Sequence, residues 1–147
     1  LYVRETVGES FERFISLPAP SPLRSAEDIS NLLARFDEGG ADLVIGVTPS
    51  ASSPYFNMVK LDGEGRAELV NKPEGTVFRR QDAPEVYDIA PGGYVTTPDH
   101  VLSSNGVFDG VLKTVTIPSE RAVDIDTMLD FDFAEFLFKR RAGLIPS

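Results

Sequence analysis

Two aspartates near the carboxyl end of the chain are the residues best suited to chemistry. Asp124 and Asp126 are two positions apart, so in an extended segment both side chains emerge on one face, while Val123 and Ile125 turn the other way. Two carboxylates on one face suit a hard divalent cation such as Mg²⁺, which leaves positions for water and substrate phosphate. Arg121 precedes them and could either screen the carboxylates or contact a phosphate. The spacing alone fits two solvated residues of a loop as well, and by itself favours that interpretation.

The sequence after the aspartates predicts a helix that would hold them in place. Thr127 can cap this helix together with Asp130, three residues further on, and Gly143 marks its end. Basic residues fill its last turn, where the helix dipole favours positive charge. Apolar residues recur at the spacing i, i+4, i+7 and i+8, and we expect them to form the buried stripe: Leu129, Phe133, Phe136 and Leu137.

An earlier stretch predicts a strand, a helix and a second strand in succession. The apolar run Phe14 to Leu17 indicates a buried strand, and Ala41 to Val47 indicates another. Between them, Ser25 opens a helix with Asp28 in the capping-box position. This order is typical of a βαβ unit in a parallel sheet, so the fold class is expected to be α/β.

The loop between the first strand and the helix, residues 18–24, is a second candidate site, which we call the proline loop. It contains three prolines, so its backbone is stiff and presents Ser21 and Arg24 with little conformational entropy left to lose. In open α/β sheets, ligands collect at the carboxyl ends of the strands, where this loop begins. The residues by themselves also fit a structural crossover with a surface arginine.

A predicted hairpin and a long polar segment follow. Residues Asn57 to Leu61 and Ala67 to Val70 flank a run of turn residues, which predicts a β-hairpin. The segment after it contains Arg79, Arg80 and Gln81, a combination that can bind a carboxylate or a phosphate. A solvated arginine pair, offset by nearby acidic residues, is the alternative interpretation.

The composition limits the classes of function that the chain can have. Its 147 residues fit one domain, and 41% are hydrophobic and 25% charged. A formal net charge of −9 argues against general binding to nucleic acid or to anionic membrane. No apolar run approaches the roughly 20 residues of a membrane span, and the N-terminus lacks a signal-peptide pattern, so we expect a cytoplasmic protein. With no cysteine and only His100, a zinc site or a Ser-His-Asp triad has little support.

Three motifs resemble one known family, the acylneuraminate cytidylyltransferases, which couple CTP to sialic-acid-type nine-carbon sugars. The run V-D-I-D-T-x-L-D-F, which begins at Val123, resembles the family's C-terminal signature. The run L-P-A-P-S-P-L-R, residues 17–24, resembles its L-Q-P-T-S-P-L-R. The order R-R-Q-x-x-P-x-x-Y, from Arg79 to Tyr87, is the third match. The resemblance extends from about Phe14 to Arg141.

The resemblance implies a role for residues at each motif. Asp124 and Asp126 would hold the catalytic Mg²⁺. The proline loop would border nucleotide and sugar, and the region around Arg79 would bind substrate and contact a second subunit. Lys72 and Pro73 match a further K-P pair of the family. The residues that the resemblance assigns to substrate binding are Ser21, Arg24, Lys72, Arg79, Arg80, Gln81 and Tyr94.

Some positions depart from the family pattern. Pro18 stands where the family has a sugar-contacting glutamine, and Pro20 where it has threonine. Ala90 and Pro91 replace the asparagine and glycine of Y-x-x-N-G-x-x-Y, while Tyr94 is retained. Relatives that act on pseaminic- or legionaminic-type sugars also vary here, so the resemblance implies a shifted sugar preference.

The resemblance also implies the architecture and the reaction. The fold would be a Rossmann-like nucleotidyltransferase fold with a parallel or mixed sheet flanked by helices, a β-hairpin, and an arm over residues 57–90 that serves a homodimer. The parent enzyme would use Mg²⁺ to transfer CMP from CTP to an acidic nine-carbon sugar, releasing pyrophosphate.

A glycine-rich, basic phosphate loop of the form A-R-G-G-S-K-G has no match in this sequence. Residues 1–147 are therefore expected to be the C-terminal part of one such α/β domain, inactive alone. Two alternatives stay open: a non-catalytic, dimerising binding module of the same fold, and another nucleotide-sugar transferase.

Overall fold

The structure, a computed structural model, describes residues 5, 6, 8, 10–72 and 79–146. Its strands and helices follow the order β1 (Phe14–Ser16), α1 (Ala26–Asp37), β2 (Leu43–Pro49), β3 (Val59–Leu61), β4 (Ala67–Leu69), β5 (Tyr87–Thr96), α2 (Pro98–Ser103), β6 (Leu112–Thr116) and α3 (Met128–Arg141). The chain divides into two compact units, Leu1–Thr48 with Ile89–Ser147, and Pro49–Asp88. Within the described ranges, no helix has the length and apolar character that a bilayer crossing requires.

The larger sheet has four strands in the order β1-β5-β2-β6. Strands β2 and β6 pair in parallel, with Leu43 opposite Leu112. Strand β1 pairs antiparallel with β5, with Phe14 opposite Thr96. The sheet is therefore mixed, and helices accompany it, which confirms the predicted α/β class.

The position of β5 corrects the predicted βαβ unit. Thr96 Oγ1, at the end of β5, donates to Asp42 O (2.6 Å) just before β2, while Ser50 N after β2 donates to Val86 O (3.1 Å) just before β5. Strand β5 thus runs antiparallel to β2 as well, so β1 and β2 are parallel but do not pair with each other. A local pattern of strand, helix and strand cannot reveal a third strand that inserts between the two from later in the chain.

Strand β1 is exposed, which contradicts the prediction that it is buried. It lies at the edge of the sheet, and β5 is its one partner strand within the described residues. Phe14 and Ile15 accordingly remain exposed. An apolar run indicates a strand, but whether that strand lies at the centre or the edge of a sheet depends on its neighbours.

Helix α1 packs on one face of the larger sheet. Ser25 caps it as predicted, since Ser25 Oγ accepts a hydrogen bond from Asp28 N (3.2 Å) and Asp28 Oδ2 accepts one from Ser25 N (2.9 Å). Leu32 of the helix forms a buried cluster with Val44 and Val95 of the strands. Burial of one such side chain contributes about 1.5–3 kcal/mol relative to exposure, so this cluster strongly stabilises the attachment of α1 to the sheet.

Two glycines make room for Ile117, which directly follows β6 and is completely buried. A Cβ atom at Gly92 would lie 2.0 Å from Ile117 Cδ1, and one at Gly46 would lie 2.5 Å from it. Ile117 N also donates a hydrogen bond to Val47 O (2.7 Å). These contacts hold the end of β6, from which the chain leads to the aspartates.

Helix α3 begins as predicted and packs against the proline loop. Thr127 Oγ1 accepts a hydrogen bond from Asp130 N (3.3 Å), and Asp130 Oδ2 accepts one from Thr127 N (2.7 Å), which completes the capping box. Ala134 and Leu137 are buried and form one cluster with Leu23 of the proline loop. The helix is thus attached at its first turn and along one narrow strip.

The predicted buried stripe of α3 is wrong at three of its four positions. Leu129 is 76%, Phe133 52% and Phe136 46% exposed, whereas Leu137 is buried. Apolar residues occur on several sides of this helix, so their spacing could not select the buried face. The contact with the proline loop selects it instead, and no described residue buries the other three positions.

The second unit contains the predicted hairpin. Strands β3 and β4 pair antiparallel, and Asp62 Oδ1 accepts hydrogen bonds from Glu64 N and Arg66 N, both at 2.9 Å. The carboxylate of Asp62 therefore closes the turn. A short 3-10 helix, Arg80–Asp82, lies further along this unit. Residues 73–78, which fall within the predicted arm, lie outside the described residues.

Candidate functional site

The aspartate segment, residues 123–126, alternates between inward and outward side chains as predicted. Val123 and Ile125 are partly buried and pack against the cluster around Leu23. Asp124 and Asp126 are exposed, and neither carboxylate has a hydrogen-bond or ion-pair partner in the described part of the chain. Two carboxylates without protein partners are free to bind a cation.

Backbone hydrogen bonds hold the aspartate segment around Ile125. Ile125 N donates to Pro20 O (3.0 Å) in the proline loop. Asp126 N donates to Asp130 Oδ2 (3.3 Å) in the first turn of α3. The segment is thus attached to two neighbours, so it has little backbone entropy left to lose when a cation binds.

Arg121 leads into the aspartate segment but directs its guanidinium to Asp28. Arg121 Nη2 lies 2.8 Å from Asp28 Oδ1 and Nε lies 3.0 Å from Oδ2, which makes the pair bidentate. Burial acts to raise the pKa of Asp28, but hydrogen bonds from Arg121 and Ser25 outweigh it and lower the pKa. Sequence reasoning found the capping role of Asp28 and missed its partner, because a residue 93 positions away leaves no local signal.

Ser21 and Arg24 of the proline loop differ in their contacts. Ser21 is 2% exposed, and its Oγ has no hydrogen-bond partner within the described residues. Arg24 Nη1 donates to Pro91 O (3.0 Å) and Nη2 donates to Pro18 O (3.1 Å), which ties the loop to β5. A buried hydroxyl without a partner costs free energy. Substrate binding by both residues stays a prediction.

Tyr94 supports the sheet face opposite α1. It lies in β5 opposite Ser16 and packs, half-buried, against Leu43, Ile45 and Val47. These residues alternate along β2 with those that face α1, as the two sides of a strand require. A role for Tyr94 in lining a substrate cleft stays a prediction.

The arginine segment, residues 79–82, borders a cleft within the second unit. The cleft has a volume of about 550 Å³ and is lined by Arg80, Gln81, Ser50, Ser53 and Tyr87, among others. Arg80 Nη2 donates to Ser50 O (2.8 Å), which fixes one edge of the guanidinium. The cleft thus offers a cation and a neutral amide side by side.

The two neighbouring arginines are directed to different partners. Arg79 Nε lies 3.2 Å from Asp82 Oδ2, whereas Arg80 binds a backbone carbonyl. Both side chains are exposed. An anion that both guanidinium groups bind together would therefore have to compete with Asp82 for Arg79.

Lys72 belongs to the second unit and is exposed. Its Nζ lies 2.9 Å from Glu68 Oε2, and this carboxylate raises the pKa of Lys72. Pro73, its partner in the K-P pair, and Phe78, which precedes the arginine segment, lie outside the described residues.

The aspartate segment fits Mg²⁺ better than a transition metal. No three or more His, Cys, Asp or Glu side chains are grouped to hold a metal within residues 10–72 and 79–146 or the few described before them. Zinc sites take three or four protein ligands, whereas Mg²⁺ needs only one or two carboxylates, because water and substrate phosphate complete its shell. Asp124 and Asp126 meet that smaller requirement.

The fold and these residues define an α/β protein with an exposed carboxylate pair attached to a stiff loop. A solved structure shares the fold: the crystal structure of 4-diphosphocytidyl-2C-methyl-D-erythritol synthase from Anaerococcus prevotii, with a TM-score of 0.56. It is 16% identical in sequence, and the match covers 87% of this chain and 59% of that one. This likeness shows the fold alone. No family model matches the chain.

Two curated proteins are related in sequence. Post-translational flagellin modification protein B of Campylobacter coli is 32% identical over 132 residues, which are 89% of this chain and 54% of that protein. CMP-N,N'-diacetyllegionaminic acid synthase of Campylobacter jejuni is 35% identical over 127 residues, 86% and 53% of the two chains. The chain is homologous to these proteins, which confirms the resemblance to the sialic-acid-type cytidylyltransferases. It spans about half the length of the curated relatives it matches.

Proposed function

We propose that this chain is part of a cytidylyltransferase that transfers CMP from CTP to a sialic-acid-like nonulosonic acid and releases pyrophosphate. The relative named as a CMP-N,N'-diacetyllegionaminic acid synthase supports both the nucleotide and the class of sugar. The observation that carries the proposal is the exposed pair Asp124 and Asp126. Its carboxylates have no partner among the described residues, and its backbone is anchored to the proline loop and to α3.

The proposed reaction is an in-line displacement at phosphorus. A hydroxyl oxygen of the sugar attacks the α-phosphorus of CTP, the bond from that phosphorus to the bridging oxygen breaks, and pyrophosphate leaves. The hydroxyl proton passes to solvent. Mg²⁺ held by Asp124 and Asp126 would neutralise charge on the phosphates. Positioning and charge stabilisation supply most of the rate enhancement in this class of reaction.

Each unit by itself contains candidate residues for substrate binding. Ser21 offers a buried hydroxyl without a partner within the described residues, and Arg80 and Gln81 offer a cation and an amide at the cleft of the second unit. Arg24 and Tyr94 would shape the site, since one ties down the proline loop and the other supports the sheet. Arg79 and Lys72, now paired with carboxylates, would exchange those partners for substrate anions.

The sugar is proposed to be of the legionaminic type. Prolines at positions 18 and 20 remove the amide and hydroxyl groups that the family pattern places in this loop. A loop with fewer hydrogen-bonding side chains suits a sugar whose hydroxyl groups are partly replaced by other substituents. The name of the Campylobacter jejuni relative supports the same class of sugar. A homodimer and a cytoplasmic location remain predictions.

Pyrophosphate release tests the proposal. The chain and the longest expressed form of the protein are incubated with CTP, Mg²⁺ and a panel of nonulosonic acids. Asp126→Asn is the test variant. Asp132→Asn is the matched control, because it neutralises another exposed aspartate a few residues away in α3.

We expect release from the longer form only when CTP and a legionaminic-type acid are both present, with Asp126→Asn inactive and Asp132→Asn active. Release with UTP or GTP in place of CTP would favour a different nucleotide-sugar transferase. No release from a form that contains a phosphate loop would overturn the catalytic proposal and favour a binding module.

A further inference from the structure

The pair between Arg121 and Asp28 does more than the cap of α1 requires. Ser25 alone completes the capping box, since its Oγ and N both bond to Asp28 (2.8 and 2.9 Å to Oδ2). Arg121 adds three further hydrogen bonds to the same buried carboxylate, at 2.8, 3.0 and 3.2 Å. The Asp28 side chain is 3% exposed and that of Arg121 is 23% exposed, so the pair is largely shielded from water.

The pair joins two elements that adjoin the candidate site in sequence. Arg121 ends the 3-10 helix Ser119–Arg121, three residues before Asp124. Asp28 binds Ser25, the residue that directly follows the proline loop. The hydrogen bond from Ile125 N to Pro20 O joins the aspartate segment itself to the proline loop. Two attachments fix both the distance and the direction of the aspartate segment relative to the proline loop.

The pair also determines the charge at the site. A free guanidinium close in sequence to Asp124 would compete with a cation for the carboxylates. Nε and Nη2 of Arg121 both donate to Asp28. The positive charge of Arg121 is therefore balanced by a carboxylate that lies outside the aspartate segment. Arg121 therefore supplies no counter-charge to Asp124 and Asp126, which have no ion-pair partner among the described residues.

We propose that Arg121 is a positioning residue for a divalent cation at Asp124 and Asp126, and that it acts through its pair with Asp28. This inference rests on the cation site of the proposed function. Arg121 then neither binds a phosphate nor screens the two aspartates.

Binding of Mn²⁺, used as a spectroscopic probe for Mg²⁺, tests this inference on the chain itself. The electron paramagnetic resonance signal of free Mn²⁺ is titrated with the wild-type chain and with Asp126→Asn, Arg121→Lys and Asp28→Asn. Ser25→Ala is the matched control, because it weakens the cap around Asp28 and leaves the Arg121 pair in place. Far-UV circular dichroism on each sample identifies the variants that are folded.

We expect Asp126→Asn to weaken Mn²⁺ binding at least about tenfold, and Arg121→Lys and Asp28→Asn to weaken it by about tenfold, as loss of a supporting partner does at other metal sites. Ser25→Ala should bind Mn²⁺ like wild type.

If Asp126→Asn binds Mn²⁺ as wild type does, the cation site and the inference are both wrong. If Asp126→Asn is weakened while folded Arg121→Lys or Asp28→Asn is not, the positioning role is overturned and the cation site stands. Asp28→Asn keeps the shape of the side chain, so it provides the answer if Arg121→Lys fails to fold.

Discussion

The aspartate segment and the arginine segment carry similar numbers of charged residues but are held in opposite ways. Arg121, at the entry to the aspartate segment, is 23% exposed and binds a buried carboxylate 93 positions away. Arg79, in the arginine segment, is 69% exposed and binds Asp82, three positions away. The first contact is shielded and long-range, whereas the second is local and solvated. The aspartate segment is thus built as a fixed site, and the arginine segment as one that can adjust to a ligand.

Stability measurements on the two arginines should show the largest difference. Arg121→Ala leaves Asp28 buried without its counter-charge, which costs about 3–5 kcal/mol in comparable pairs, and we expect about 3 kcal/mol because Arg121 is partly exposed. Arg79→Ala removes an exposed pair and should cost less than about 0.5 kcal/mol. Urea unfolding followed by circular dichroism measures both. Equal losses for the two variants would contradict the contrast between the segments.

Neutralising one aspartate should affect catalysis without affecting stability. In a form of the protein that is active, Asp126→Asn should lower kcat at least about 100-fold, which corresponds to about 2.7 kcal/mol. The free energy of unfolding should change little, because the carboxylate is exposed and has no partner among the described residues. Steady-state kinetics and urea unfolding on one preparation separate the two effects. A variant that loses stability and keeps kcat would show that Asp126 has a structural role.

A substitution in the arginine segment should act on substrate affinity. Arg80→Ala removes a cation at the cleft and should raise KM for one of the two substrates about tenfold. This rise corresponds to a loss of about 1.4 kcal/mol of binding free energy. The value of kcat should change by less than about threefold. Gln81→Ala at the same cleft is the matched control for loss of a neutral group. The measurement is a comparison of KM for CTP with KM for the sugar. A fall in kcat with unchanged KM would place Arg80 in the same functional class as Asp126.

The smallest effect is expected on the free energy of unfolding at acidic pH. Burial acts to raise the pKa of Asp28, but hydrogen bonds from Arg121 and Ser25 hold it below the usual value of about 3.9. A lowered pKa in the folded state means that the stabilisation is fully present above about pH 4 and is lost as the pH falls through the folded-state pKa. The stability difference between wild type and Asp28→Asn should therefore shrink below about pH 4. Urea unfolding curves from pH 7 to 3 measure this difference in the free energy of unfolding. A difference that does not change with pH would show that the charge on Asp28 is not its source.

The elements that were predicted correctly depend on residues close together in the chain. Both capping boxes, Ser25 with Asp28 and Thr127 with Asp130, span three residues. The hairpin depends on turn residues between two short strands. The outward direction of Asp124 follows from the alternation of an extended chain and needs no knowledge of distant contacts.

Tertiary structure decided the features that sequence reasoning missed, because each depends on residues far apart in the chain. Strand β5 lies between β1 and β2, and no sequence pattern within β1 or β2 predicts this position. Leu23 of the proline loop selects the buried face of α3, which has apolar residues on several sides. Asp28 and Arg121 meet because α1 contacts β6, from which the chain leads to Arg121. The sequence by itself therefore determined which residues are chemically able to form a site, and packing between distant segments decided how firmly each of them is held.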